Sequence, residues 1–151
     1  MKDSIATMQI VDCMTPFLLT LSKYDTLAAA YEKMTVNQIR RMPVVNHDRL
    51  IGILSLSDIL RFKPDEIRRY LTFKELSESM DKVIVELVMT TDPIVVYQTD
   101  QVGYAAELML DKKIGGLPVL DSGRSLVGLI TESDIFRLLA KEWRNANASN
   151  S

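Results

Sequence analysis

The chain has one cysteine, one histidine and one tryptophan in 151 residues, with only six glycines and five prolines. A single cysteine, Cys13, cannot close an internal disulfide, so the expected setting is a reducing cytoplasm. The lone histidine, His47, stands apart from any acidic cluster and offers neither a zinc ligand set nor a Cys–His dyad. No apolar run approaches the roughly 18 residues that suggest a membrane span, and the polar start, MKDSIATMQ, is unlike a secretory signal. Neither sign of charge is in excess: 18 Lys+Arg against 20 Asp+Glu leave a net charge of −2, which argues against a generic nucleic-acid or anionic-membrane binder. A phosphate-cradling Gly-x-x-x-x-Gly-Lys loop is missing too. These absences point to binding rather than catalysis, with no required cofactor and no metal.

What the chain does have is a repeat. Met14-Thr15, Asp25, Ala30, Glu32, Met34, Ile39 and Pro43-Val44 return 75 residues on as Met89-Thr90, Asp100, Ala105, Glu107, Met109, Ile114 and Pro118-Val119. After a slip of one residue in a turn, Leu50, Gly52, Ser57-Asp58-Ile59 and Arg61 return as Leu126, Gly128, Ser133-Asp134-Ile135 and Arg137. Self-similarity at a fixed spacing marks one structural unit used more than once, and two copies imply a pseudo-symmetric pair. With 47% hydrophobic and 25% charged residues, the composition is that of an ordinary globular domain.

Each copy reads as strand, helix, strand, turn, strand, helix. In the first, Phe17 to Leu21 suits a short strand, and Asp25 stands where an N-cap belongs before a helix from Leu27 to Met34. Arg41 to Val45 and Leu50 to Leu54 form a hairpin around Asn46-His47-Asp48-Arg49, and a second helix opens at Ser57. In the second copy, Ile94 to Tyr97 precedes a helix from Asp100 through Leu110. Strands then follow at Leu117 to Leu120 and Leu126 to Ile130, with a last helix from Thr131 to about Glu142. Between the copies, segment 64–80 is a charged, mostly helical connector. The expected division is repeat 1 over 1–62, a helical linker over 63–84, repeat 2 over 85–144 and a frayed tail over 145–151. Mixed strands and helices around a duplicated core make the class α/β.

The strongest local pattern is Gly128-Leu129-Ile130-Thr131-Glu132-Ser133-Asp134, echoed by Gly52-Ile53-Leu54-Ser55-Leu56-Ser57-Asp58. Each sets a hydroxyl at a strand's end and a carboxylate three residues later, beside the exposed N–H groups of a helix start. One carboxylate can accept both protons of a vicinal diol such as ribose. The same spacing also describes a helix capping box. The pattern alone leaves both open.

Met-Thr before a strand, a hydrophobic-Pro-Val strand, a turn, and Gly-hydrophobic-hydrophobic-Ser/Thr-x-x-Asp together resemble the cystathionine-β-synthase (CBS) domain, and the tandem resembles the pair called a Bateman module. The resemblance spans about residues 10–62 and 85–140. It implies two βαββα repeats packed through their sheets about a pseudo-two-fold axis, often as a homodimer. It further implies a regulatory module sensing an adenosine-containing ligand (AMP, ADP, ATP or S-adenosylmethionine) in the clefts between repeats, on behalf of a regulated partner that the sequence does not name. By that resemblance Asp58 and Asp134 hold ribose hydroxyls, and Ser55 and Thr131 contact ribose or phosphate. Backbone around Ile39, Arg40, Arg41 and Met42, and around Ile114, Gly115, Gly116, Leu117 and Pro118, meets the adenine edge, while Thr15, Pro16 and Thr90 line the pocket.

The copies differ where a ligand would sit. Glu132 stands beside Asp134 where the first copy has Leu56, and Arg40-Arg41 replaces Gly115-Gly116. Arginines grip phosphate bidentately, and glycines admit a flat base closely. The combination leans toward ribose and base at the second copy, with Arg40 or Arg41 reaching the phosphate. On the last helix, Ile135, Leu138 and Leu139 line one side and Phe136, Ala140 and Trp143 an adjoining one, more apolar surface than a single core-facing stripe requires. The surplus fits a second copy of the chain, and supports an alternative function as a ligand-independent dimerisation and docking module.

Overall fold

The structure, a computed structural model, describes residues 4–16, 19–62 and 73–148. The strands are β1 (Thr15–Pro16), β2 (Leu21–Ser22), β3 (Arg41–Asn46), β4 (Arg49–Ser55), β5 (Thr90–Thr91), β6 (Val96–Tyr97), β7 (Gly116–Leu120) and β8 (Leu126–Thr131). The helices are α1 (Leu27–Val36), α2 (Leu56–Arg61), α3 (Phe73–Met80), α4 (Val102–Lys112) and α5 (Glu132–Ala148). The class is α/β, with two four-stranded sheets ordered β1-β8-β7-β6 and β2-β3-β4-β5.

The compact units do not follow the repeat boundaries. One takes Met1–Leu18 with Ile94–Ser151, and the other takes Leu19–Pro93. The lead-in to each copy is therefore built into the unit of the other copy. In the split unit, the Ile10 and Val102 amides donate to the carbonyls of Asp100 and Met8, at 2.9 Å each. In the continuous unit, the Val85 and Leu27 amides make the equivalent bonds to Asp25 (2.8 Å) and Val83 (2.9 Å). The lead-in then adds an antiparallel edge strand: β1 pairs with β8 and β5 with β4. The β-hairpin and the parallel strand β2 or β6 complete each sheet.

Within each unit one helix face closes the core. Leu27, Ala30 and Met34 on α1, and Val102, Ala105 and Met109 on α4, repeat at the i, i+3, i+7 spacing of a helical stripe and are buried. They pack on alternate hairpin residues: Met42, Val44 and Leu54 in one unit, Leu117, Val119 and Ile130 in the other. The slip in the repeat lies in the hairpin turns. His47 (φ 47°) and Asp48 (φ 62°) make a two-residue turn of the kind that matches strand twist, whereas residues 121–125 form a longer loop closed by the Asp121 amide on the Ser125 carbonyl at 2.9 Å.

Several boundaries differ from those expected. Asp25 is not the N-cap of α1; Thr26 is, its hydroxyl accepting from the Ala29 amide at 3.1 Å. The Asp25 carboxylate instead accepts from the Ser22 amide at 3.0 Å, and Asp100 does the same for Tyr97 at 2.8 Å. Both acids close the preceding turn, a local bond that competes with capping. Strand β2 begins at Leu21; Phe17 and Leu18, placed in that strand from the sequence, lie outside the described residues, as does 64–72 of the expected connector helix. Helix α5 runs to Ala148, past Glu142 and through residues expected to fray, with the Asn147 side-chain amide donating to the Trp143 carbonyl at 2.8 Å.

Candidate functional site

The two hydroxyl–acid pairs stand where the second hairpin strand of each unit passes into a helix. At α2, the Asp58 amide donates to Ser55 Oγ (3.1 Å) and the Ser55 amide to Asp58 Oδ2 (2.8 Å), a reciprocal capping box. At α5, the Asp134 amide donates to Thr131 Oγ1 (3.3 Å) and the Thr131 amide to Asp134 Oδ2 (2.9 Å). The capping reading of the motif therefore holds in both copies. The backbone ahead of the hairpin joins in: the Leu56 amide donates to the Arg40 carbonyl at 2.7 Å and the Glu132 amide to the Gly115 carbonyl at 3.2 Å.

Beyond the cap, the copies part. Asp134 is 3% exposed and its second oxygen is also engaged. Thr15 Oγ1, on the exchanged edge strand, donates to Asp134 Oδ1 at 3.0 Å, Arg137 Nη1 donates to the same oxygen at 2.9 Å, and Thr131 Oγ1 donates to Oδ2 at 3.1 Å. Asp58 is half-buried, and among the described residues its Oδ1 receives no hydrogen bond. The counterparts Thr90 and Arg61 make no such bond to it. One acid is enclosed, the other open on one side.

The remaining expected site residues divide by exposure. Met42, Gly116, Leu117 and Pro118 are buried in their hairpins, backbone included. Ile39, Arg41, Ile114 and Gly115 are half-buried, and Thr15, Pro16, Arg40 and Thr90 are exposed. In the split unit the structure brings Thr15, Thr131 and Asp134 together and adds Arg137, which the sequence reading did not include. Its signal was present in the repeat, since Arg61 and Arg137 occupy matching positions three residues after each acid.

Cys13 lies near this cluster. Burial first, then the charges of Asp134 and Asp12, push its thiol from 9.0 up to about 11, so it is held protonated at neutral pH. Among the described residues no group of His, Cys, Asp and Glu has the arrangement to hold a metal ion, and no helix is long and apolar enough to cross a membrane. No buried side-chain nitrogen or oxygen among them lacks a hydrogen-bond partner.

The CBS domain family model matches residues 10–65 and 84–141. A CBS domain-containing protein of Dictyostelium discoideum is 34% identical over 129 residues, covering 85% of this chain and 88% of its own length. The protein MJ1225 of Methanocaldococcus jannaschii is 30% identical over 132 residues, covering 87% of this chain, which spans only 47% of that relative's length. Among solved structures, CBSX2 in complex with AMP superposes with a TM-score of 0.72 at 27% identity, covering 88% of this chain and 96% of its own; CBSX2 is a protein of Arabidopsis thaliana. The CBS domain pair of protein MJ0100, solved with 5′-methylthioadenosine and S-adenosyl-L-methionine, gives a TM-score of 0.71 at 25% identity, over 87% of this chain and 99% of that one.

Proposed function

The chain belongs to the CBS domain family, and from that premise we propose that it is a regulatory module that binds an adenosine-containing ligand rather than an enzyme. The observation that carries this reading is the hydroxyl–carboxylate pair at the start of α2. Ser55 and Asp58 are held rigidly by their own cap, while Asp58 Oδ1 receives no bond among the described residues. A ribose diol supplies two hydroxyl donors to such a carboxylate, and charge-assisted bonds of this kind are the strong ones. Exposed Arg40, on the approach to β3, carries a charge suited to phosphate. The AMP bound by CBSX2 and the adenosine derivatives bound by MJ0100 support the ligand class.

The sequence leaned toward the second copy for ribose. The geometry argues for the first, because Asp58 accepts a ligand without giving up a protein partner. Regulation then follows from differential affinity: a ligand that prefers one of two states shifts the population toward it and passes that bias to a partner.

Titration calorimetry with AMP, ADP, ATP and S-adenosylmethionine tests this. At least one ligand is expected to bind the intact chain, and Asp58→Ala should weaken it on the order of 10- to 100-fold, the loss of charge-assisted bonds worth about 1.5–3 kcal/mol. An Asp58→Ala protein that stays folded and binds with unchanged affinity removes Asp58 from the site.

A second reading is favoured by α5. Ile135 and Leu138 face the core of their unit as expected, but Leu139 does not: it is 57% exposed beside Phe136 (66%) and Trp143 (68%). On a helix turning 100° per residue these three share one exposed ridge, about 100° round from the core-facing side. A two-fold pairing would bury one such ridge against its equivalent, so the occupant we assign is a second copy of the chain. Light scattering should find a dimer that Trp143→Glu converts to monomer with ligand affinity unchanged. A monomeric wild-type protein would end this reading.

A further inference from the structure

We propose that Arg137 decides which copy takes the ligand, by occupying Asp134 and so withholding that carboxylate from ribose. This rests on the adenosine-ligand reading and adds its selectivity between copies. A carboxylate offers about four acceptor positions. Asp134 fills them: Thr131 through its amide and its hydroxyl, Thr15 through its hydroxyl, and Arg137 through Nη1. A diol therefore cannot bind Asp134 unless a protein donor leaves.

The four donors are not equally removable. The two from Thr131 belong to the cap of α5, and the one from Thr15 comes from an edge strand held by the β1–β8 ladder. Thr15 is exposed too but sits on a paired strand, whereas Arg137 reaches Asp134 on a long side chain that is 70% exposed, against 2% for the Asp134 side chain it holds. It is the detachable partner. Its counterpart Arg61 is the last residue of the six-residue α2 and makes no bond to Asp58, whereas Arg137 sits in the second turn of the 17-residue α5, where an i, i+3 contact with Asp134 is favoured. Identical residues at matching positions thus give one occupied acid and one open acid. A competing charge-assisted contact lowers ligand affinity at the occupied copy on the order of 10- to 100-fold.

The test is calorimetric titration of the full chain with AMP, read as equivalents bound per chain. Wild-type protein is expected to bind one equivalent at high affinity, removed by Asp58→Ala. Arg137→Gln should add a second, and Arg137→Gln combined with Asp58→Ala should keep that second one. Arg137→Lys, which restores a cationic donor, should return the count to one. Thermal unfolding checks that each variant is folded, which the exposure of Arg137 favours. An Arg137→Gln protein with the wild-type count and affinity overturns the proposal, and so does one that binds more weakly, since Arg137 would then contact the ligand. If neither AMP nor any of the three other ligands binds wild type or variants, the adenosine reading fails and this inference falls with it. Binding by wild type with an unchanged count in Arg137→Gln sinks the inference alone.

Discussion

Replacing Asp134 with alanine is expected to lower the unfolding free energy by about 2–4 kcal/mol, against about 0.5–2 kcal/mol for Asp58→Ala. The sequence treats the two positions alike, as acids three residues after a strand-end hydroxyl. Asp58 contributes only its capping box, and losing a cap costs about 1 kcal/mol. Asp134 contributes the same cap plus the hydrogen bond that pins Thr15 and the contact with Arg137. Arg137 is exposed and turns to water when its partner goes, so the penalty for an unpaired buried charge does not arise. The loss then comes from the cap and the bonds to a charged acceptor. Urea denaturation of the two variants measures the difference directly, and Asp134→Asn, which keeps a side-chain acceptor, should fall between wild type and Asp134→Ala. Equal losses for the two alanine variants would mean that the Thr15 and Arg137 contacts contribute nothing to stability.

That difference marks where reading the sequence stops. The repeat, the hairpins and the helices α1 and α4 were legible because each is set by local pattern: period-2 apolar runs, i, i+3, i+7 spacing at Leu27, Ala30 and Met34, and turn residues at Asn46 to Arg49. The hydroxyl–acid pairs were legible for the same reason, being three residues apart. The N-caps were missed by one residue, since Asp25 and Thr26 both carry a capping oxygen and only the turn geometry assigns Asp25 to Ser22. The exchange of lead-in strands was not legible at all. Strands of two residues, such as β1 and β5, carry no alternation, and their partners lie far along the chain. Nor was the contrast between Asp58 and Asp134, because Thr15 and Thr90, and Arg61 and Arg137, are the same residues in the two copies. What separates them is a contact across 119 positions and the length of the helix that follows.

Gly128→Ala and Gly52→Ala are each expected to cost about 1–3 kcal/mol, by forcing the exchanged edge strand off its sheet. The repeat keeps glycine at these positions, and the structure gives the reason. A Cβ on Gly128 would stand 2.7 Å from both Met14 Sδ and the Thr15 carbonyl oxygen, and one on Gly52 would stand 2.6 Å from Met89 Sδ and 2.9 Å from the Thr90 carbonyl oxygen. A methionine side chain can move aside, but a carbonyl in a strand cannot move without its backbone. For Gly128 that backbone is β1, whose register sets Pro16 opposite Gly128 and Thr15 opposite Leu129. Shifting β1 carries Thr15 away from Asp134, so Gly128→Ala should also free one of that carboxylate's four acceptor positions. Gly52→Ala displaces β5 and leaves Asp134 untouched. Amide hydrogen exchange should therefore speed up around Met14–Pro16 in Gly128→Ala and around Met89–Thr91 in Gly52→Ala, each leaving the other strand protected. Two alanine variants as stable and as protected as wild type would show that the edge strands tolerate a side chain beneath them, and that the repeated glycine has another cause.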